Sequence, residues 1–160
     1  MTSQFSPKVS EILSFSREEA ERLSSSSVGP EHLLLGLLRM KEGPVIDVFR
    51  RLRLNIPMLK YQLEAKVRQD DITQQPVYTR ELVLNERASN ILKLAVLEAR
   101  TQHTQKVDEQ HLLLAILHDQ VNNGAKEILE QNDMNYDDVL SLFKAREMPV
   151  GGISLPDEDE

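Results

Sequence analysis

Apolar residues recur through most of the chain at spacings of three and four positions, which is the period of one face of an α-helix. The first such stripe is formed by Val9, Ile12, Leu13, Ala20 and Leu23. Similar stripes follow along the chain, and the breaks between them carry residues that favour helix ends. The pattern therefore predicts an all-α protein built from short helices.

The predicted helix starts of the first half combine capping residues with proline. Ser6 can cap a helix whose first position is Pro7, because proline lacks only an amide that would have no partner there. The first four starts are marked by Ser6-Pro7, Gly29-Pro30, Gly43-Pro44 and Asn55. The second helix would carry four of the leucines between Leu33 and Leu38 and fade at Gly43. Four helices are thus predicted for this half.

The second half of the chain repeats the first. Displacing the sequence by 79 positions aligns residues 5–38 with residues 84–117 without a gap, and the register resumes at a displacement of 80 around Asn55 and Asn135. Most identical pairs are apolar, so they predict equivalent core positions. The identical pairs include Ile12/Ile91, Leu13/Leu92, Glu19/Glu98, Ala20/Ala99, Val28/Val107, His32/His111, Leu33/Leu112, Leu34/Leu113 and Leu35/Leu114. Asn85, Asp108 and Asn135 are the predicted caps of the second copy.

These observations predict one helical domain over residues 1–146, made of two tandem four-helix repeats related by a pseudo-two-fold axis. Repeat 1 covers about 4–68, and repeat 2 covers about 84–146. The polar segment 69–83, with Pro76, is predicted to be a surface linker. Residues 147–160 are rich in Pro, Gly and acidic residues, and we expect a flexible tail there.

Charge and composition narrow the possible functions. Of the seven net negative charges, four lie in the last four residues, so the predicted domain is nearly balanced and has no basic stripe for nucleic acid. There is no cysteine, which excludes disulfides and thiolate sites. No apolar run approaches the ~20 residues that span a bilayer, and the N-terminus has no signal-peptide pattern. These features indicate a cytoplasmic protein that binds neither nucleic acid nor membrane.

The sequence offers little catalytic chemistry. None of the six glycines belongs to a phosphate-binding loop, so the chain is not predicted to bind nucleotide. A metal- or acid-dependent hydrolase using His103, His111 and His118 is an alternative, but these residues lack a recognisable ligand spacing, and no metal site is predicted. His32 and His111 stand at equivalent helix starts, where a structural role is expected. A stand-alone helical scaffold without any ATPase is the other alternative.

The two strongest motifs resemble a known signature. The segments 28–38 (VGPEHLLLGLL) and 107–117 (VDEQHLLLAIL) look like the twin motif of the N-terminal domain of Clp-type AAA+ unfoldases. Phe5-Ser6-Pro7-Lys8 and Leu84-Asn85-Glu86-Arg87 are similar to the family's opening of the first helix in each repeat. The resemblance covers about residues 4–145 and is greatest to the ClpC branch, with the ClpA and ClpB branches as alternatives.

The resemblance implies a non-enzymatic domain that binds adaptor proteins and protein substrates for an ATP-driven ring. ATP and Mg²⁺, a hexameric assembly and a partner Clp peptidase would then belong to the ATPase domains, whereas this fragment would need no cofactor and be a monomer. In some ClpC members the domain also recognises phosphoarginine, through a Glu at the start of the second helix and a hydroxyl residue at the start of the first.

Carried over by position, this implies that Glu31 and Ser6 form one site and that Gln110 and Asn85 form another. Gln110 lacks the charge with which a carboxylate holds a guanidinium, so the second site is predicted to be weaker. A purely structural interpretation of Glu31 stays open, because acidic residues in the first turn stabilise a helix by themselves.

Overall fold

The computed structural model describes residues 4–70, 82–121 and 123–147, without the side chains of residues 69, 70, 146 and 147. Within these ranges the regular structure consists of eight α-helices, which confirms the all-α prediction. Their bounds are α1 Pro7–Arg22, α2 Pro30–Leu38, α3 Pro44–Arg51, α4 Ile56–Asp70, α5 Glu86–Thr101, α6 Glu109–His118, α7 Gly124–Gln131 and α8 Tyr136–Glu147. The segment 71–81 and the tail from 148 lie outside the described residues, where most of the predicted linker and tail falls.

The predicted caps hold the helix starts. Ser6 accepts a hydrogen bond from the amide of Val9, and Asn85 accepts one from Ala88 at the equivalent place. Asn55 and Asn135 do the same for α4 and α8. Each side chain satisfies an amide that has no partner inside its helix. Local sequence therefore fixes where these helices begin.

The two repeats are joined by an exchange of short extended segments. Phe5 pairs in parallel with Val107, and Val28 pairs in parallel with Leu84. Phe5 and Leu84 are equivalent positions, as are Val28 and Val107, so the two pairings are related by the pseudo-two-fold axis. The residue before the first helix of each repeat thus lies beside the start of the second helix of the other repeat.

The core is centred on α2 and α6, which carry the two leucine triplets. Leu33, Leu34 and Leu35 are buried, as are Leu112, Leu113 and Leu114. A helix that is apolar on every side must be covered all round. α2 packs against α1, α4, α5 and α7, and α6 packs against α3, α5, α7 and α8. Contacts of α2 with α7 and of α3 with α6 make one core of the two repeats.

The turns also follow the duplication. Ser24 and His103 adopt positive φ angles of 57° and 58°, and Arg53 and Asp133 adopt 57° and 65°. Each pair occupies equivalent positions of the two repeats. Positive φ is uncommon outside glycine, so its recurrence at matched turns supports the repeat alignment through all the elements.

Candidate functional site

The start of α2 has no side-chain cap, because its N-cap residue is Gly29, and a histidine accepts the N-cap amide. The Nδ1 atom of His32 accepts the Gly29 amide at 2.9 Å, and its Nε2 atom lies 2.9 Å from the Ser25 hydroxyl. Only 5% of His32 is exposed. Burial lowers the pKa of His32 to about 4, against the opposing charge of Glu19. A neutral imidazole therefore holds this loop, as the expected structural role requires.

A cavity of about 170 Å³ opens at this helix start. The hydroxyl residues Ser25, Ser26 and Ser27 line one part, and Glu31 and Asn85 line another. A Cβ atom at Gly29 would lie 3.0 Å from the Asn85 Nδ2 atom and 3.1 Å from the Glu31 Oε1 atom. The missing side chain of Gly29 therefore keeps the space between these two polar groups open.

Glu31 also contacts the other repeat. A Cβ atom at Gly124 would overlap the Glu31 carboxylate, which lies against the first residue of α7. A carboxylate is favoured at this place because the N-terminus of a helix carries partial positive charge. Glu31 thus reaches two helix starts, its own and that of α7.

The equivalent start of α6 is closed. Asp108 stands where repeat 1 has Gly29, and its Oδ1 atom accepts hydrogen bonds from the Ser6 hydroxyl and from the Glu109 amide, both at 2.9 Å. The side-chain oxygen of Gln110 is buried and accepts no hydrogen bond from the described residues. The protein's own carboxylate therefore takes the place that is open at α2.

The four residues predicted from the sequence come together across the repeats, not within them. Asn85 lies in the cavity beside Glu31, whereas Ser6 lies at the start of α6, the helix that carries Gln110. The within-repeat pairs Glu31 with Ser6 and Gln110 with Asn85 are thus wrong as spatial pairs. The reason is the exchange of extended segments, which sends the start of each first helix to the opposite repeat.

Glu109 is a buried carboxylate that the sequence comparison did not single out. It is fully buried, its Oε1 atom lies 3.4 Å from the Val45 amide at the start of α3, and its Oε2 atom lies 3.4 Å from the Lys8 ammonium. Burial raises the pKa of Glu109, and Lys8 opposes that effect. Its counterpart in repeat 1 is Pro30, so the alignment contained no signal for it.

The histidines of the hydrolase alternative have different surroundings. His111 is buried and its Nδ1 atom accepts the Asp108 amide, whereas His118 is paired with Glu98 and His103 lies exposed in a turn. Among the residues with described positions, no group of three His, Cys, Asp or Glu side chains could hold a metal ion. None of the described helices is both long enough and apolar enough to cross a membrane.

Comparison with protein families matches residues 4–141 to the family described as the Clp repeat (R) N-terminal domain. The chain belongs to this family. The Clp N-terminal domain is therefore identified both by the duplicated motif and by a match over most of the chain, and the resemblance seen in the sequence is confirmed.

Curated relatives of two Clp types match the domain at nearly equal identity. The chaperone protein ClpB of Oceanobacillus iheyensis is 29% identical over 147 residues, which cover 92% of this chain and 17% of that protein. The negative regulator of genetic competence ClpC/MecB of Bacillus subtilis is 28% identical over 148 residues, with 92% and 17% coverage. The chain thus spans about a sixth of the length of these relatives.

A solved structure supports the fold. The N-terminal domain of the chaperone ClpD from Arabidopsis thaliana aligns with a TM-score of 0.67, covering 89% of this chain and 94% of that one at 21% identity. At this identity the likeness establishes the arrangement of helices and no more.

Proposed function

We propose that this domain captures adaptor proteins and protein substrates and passes them to an ATP-driven Clp unfoldase ring. The support is its membership of the Clp N-terminal domain family and its similarity to ClpB and ClpC. ATP and Mg²⁺ would be bound by other domains, which would also form the hexamer and contact a Clp peptidase. The domain itself would be a monomeric docking module.

The cavity at the start of α2 is the candidate contact point for clients that carry phosphoarginine. The observation that favours it is the open space between one carboxylate and several neutral donors. Glu31 would accept the guanidinium, because a carboxylate forms strong charge-assisted hydrogen bonds with that group. The hydroxyls of Ser25 to Ser27 and the Asn85 amide would donate to the phosphoryl oxygens.

The start of α6 lacks the features that favour binding. Asp108 places a negative charge where an incoming phosphoryl group would need donors, and its hydrogen bond occupies the Ser6 hydroxyl. Gln110 supplies no charge for the guanidinium. We therefore propose one phosphoarginine site per domain, formed by Glu31 and Asn85, and no second site at Ser6 and Gln110.

Titration of free phosphoarginine into the 160-residue chain, followed by calorimetry and amide-shift NMR, tests this proposal. One equivalent should bind, with shifts around Gly29 and Asn85. Glu31→Gln keeps the size of the side chain and should weaken binding about tenfold or more, the loss expected for one hydrogen bond to a charged group. Glu42→Gln, at an exposed carboxylate outside the cavity, is the matched control.

Three results would contradict the proposal: equal affinity of the wild type and Glu31→Gln, two equivalent sites, or shifts confined to the start of α6. Free arginine and inorganic phosphate separate the two halves of the ligand. Each should bind more weakly than phosphoarginine if both halves of the cavity contribute.

A further inference from the structure

The junction between the first and fourth helices differs between the two repeats. In repeat 1 it is closed by an ion-pair network centred on Arg22. The Arg22 Nη2 atom lies 2.6 Å from Glu19 Oε1 and 2.6 Å from Glu64 Oε2, so one guanidinium joins α1 to α4.

Repeat 2 has lost this closure at three equivalent positions. Thr101 stands for Arg22, Gln102 for Leu23 and Lys144 for Glu64. The short threonine cannot reach α8, and the lysine has replaced the carboxylate it would have met. A cavity of about 290 Å³ is present between the end of α5 and α8, lined in part by these three residues.

The acidic group in this cavity is already satisfied. Glu98 is buried, its Oε1 atom accepts the Tyr136 hydroxyl at 2.8 Å, and its Oε2 atom lies 2.6 Å from His118 Nδ1. The rings of His118 and Tyr136 stack with centroids 4.2 Å apart, which fixes both partners. Burial and the bond to Glu98 raise the pKa of Tyr136, so its hydroxyl stays a donor.

Two of the remaining polar groups, the Gln102 side-chain amide nitrogen and the Lys144 ammonium, are donors without an acceptor among the described residues. The Gln102 Nε2 atom is buried and has no hydrogen-bond partner among the described residues. A buried donor left without an acceptor is destabilising, and an acceptor on a ligand would satisfy it. Within the described ranges no carboxylate lies within ion-pair distance of Lys144. The cavity therefore offers an amide donor and a cation to an incoming anion.

The other side of the cavity is apolar. Leu140 and the Tyr136 ring line it, and both are only half-buried. Leu97, one turn before Thr101 on α5, has 53% of its surface exposed. A single exposed apolar residue is ordinary on a protein surface, so the apolar wall of the cavity rests on Leu140 and Tyr136.

We propose that this cavity binds the C-terminal carboxylate of a partner polypeptide whose last side chain is apolar. A chain terminus carries a carboxylate and a side chain on one Cα atom, matching the donor wall and the apolar wall of this cavity. An internal Asp or Glu residue has no apolar side chain directly next to its carboxylate. The polypeptide would also have to leave the cavity in two directions. A doubly charged phosphate would meet stronger repulsion from Glu98 than a single carboxylate does.

Amide-shift NMR of the 160-residue chain with short peptides that carry at most one carboxylate tests this assignment. The probe is acetyl-Gly-Ser-Gly-Ser-Ala-Leu with a free carboxylate, compared with the same peptide as the amide and with acetyl-Gly-Ser-Asp-Leu-Gly-Ser amide, which has only an internal acid. The free acid should shift residues of α5 and α8. The amide should bind about tenfold more weakly or worse, the loss of one charge-assisted hydrogen bond.

Two variants probe the cavity itself. Gln102→Leu restores the residue type of repeat 1 and removes the donor, and Lys144→Gln removes the charge while keeping a polar side chain. Each should weaken binding of the free acid about tenfold, whereas Lys60→Gln, at an exposed lysine of α4, should leave it unchanged. Unfolding curves of each variant establish that the fold is intact.

Equal binding of the acid and the amide would overturn the assignment, as would shifts outside α5 and α8, tighter binding of the internal acid, or no binding of any peptide. Inorganic phosphate is the last ligand in this series of titrations. Phosphate shifts at these residues without peptide shifts would also reject a chain terminus as the ligand. Because this cavity shares no residue with the start of α2, the result is independent of the phosphoarginine test.

Discussion

The starts of α2 and α6 share one design and differ in whether space is left open. In both, a histidine Nδ1 atom accepts the amide of the N-cap residue at 2.9 Å. In repeat 1 the N-cap is Gly29 and a cavity remains beside Glu31, whereas in repeat 2 the Asp108 carboxylate occupies that place. Since Asp caps a helix somewhat better than Gly does, closing the second site costs no stability. A duplicated scaffold can therefore keep or lose an open space at a helix start through the choice of its N-cap residue.

The α1/α4 and α5/α8 junctions show the same contrast with the repeats reversed. Arg22 closes the junction of repeat 1, and Thr101 with Lys144 leaves that of repeat 2 open. Each repeat thus has one of these two cavities, at a place where the other repeat carries a hydrogen-bonded or ion-paired charged side chain. The fold needs the buried leucines in both copies, but it tolerates either state at these two surface positions.

The largest expected effect concerns the histidine cap of repeat 1. His32 has a folded-state pKa of about 4, below its ordinary value of 6.5, so the unfolded chain binds more protons between these two values. The contribution of His32 to the free energy of unfolding should be complete above pH 6.5. It should be lost as the pH falls from 6.5 towards 4. The lowered pKa corresponds to a loss of about 3 kcal/mol.

Urea unfolding between pH 4 and pH 7 measures this dependence. In His32→Asn, which keeps an acceptor for the Gly29 amide, the part of the slope due to His32 should vanish. The exposed His103→Asn is the control and should retain the slope of the wild type. An unchanged slope in His32→Asn would show that other groups cause the acid sensitivity.

The next largest effect tests how closely α1 and α2 approach. Gly36 in α2 faces Ser16 in α1, and a Cβ atom there would lie 2.5 Å from Ser16 Oγ and 2.7 Å from the Ile12 carbonyl oxygen. Repeat 2 has Ala115 and Ala95 at the same two positions. Gly36→Ala should lower the free energy of unfolding by about 2 kcal/mol, because overpacking exceeds the gain in helix propensity.

Chemical denaturation of three variants separates the two clashes. Ser16→Ala combined with Gly36→Ala copies repeat 2 and should recover only part of the loss, since the Ile12 carbonyl stays in place. Ala115→Gly is the reciprocal change and should cost about 1 kcal/mol through helix propensity. A stable Gly36→Ala variant would show that α1 and α2 can move apart at no cost.

The sequence predicted what depends on neighbouring residues and missed what depends on distant ones. The caps Ser6, Asn55 and Asn85 follow from chemistry within one helical turn, and the structure has them. The pairing of Asn85 with Glu31 depends on the exchange between Val28 and Leu84, 56 positions apart, which no local pattern reveals. The displacement of 79 indicates which residues are equivalent, but it does not indicate which of them touch.

The last prediction has the smallest expected effect on stability, and it tests directly why the starts of α2 and α6 differ. Asp108→Gly combined with Gln110→Glu gives α6 the N-cap residue and the acidic residue of the α2 start, with Glu109 left in place of Pro30. Replacing the Asp cap by Gly costs a few tenths of a kcal/mol, and loss of the Ser6 hydrogen bond adds about 1 kcal/mol.

The double variant should then bind phosphoarginine at two sites, with new amide shifts near Ser6, because the blocking carboxylate is gone and a new one faces the guanidinium. Gln110→Glu alone should not gain the second site, since Asp108 still holds the Ser6 hydroxyl. If this single variant already binds two equivalents, the charge at position 110 decides occupancy and the Asp108 closure does not. One equivalent bound by the double variant would instead mean that the serines around Ser26, whose counterparts near Gln105 include no serine, contribute most of the affinity at α2.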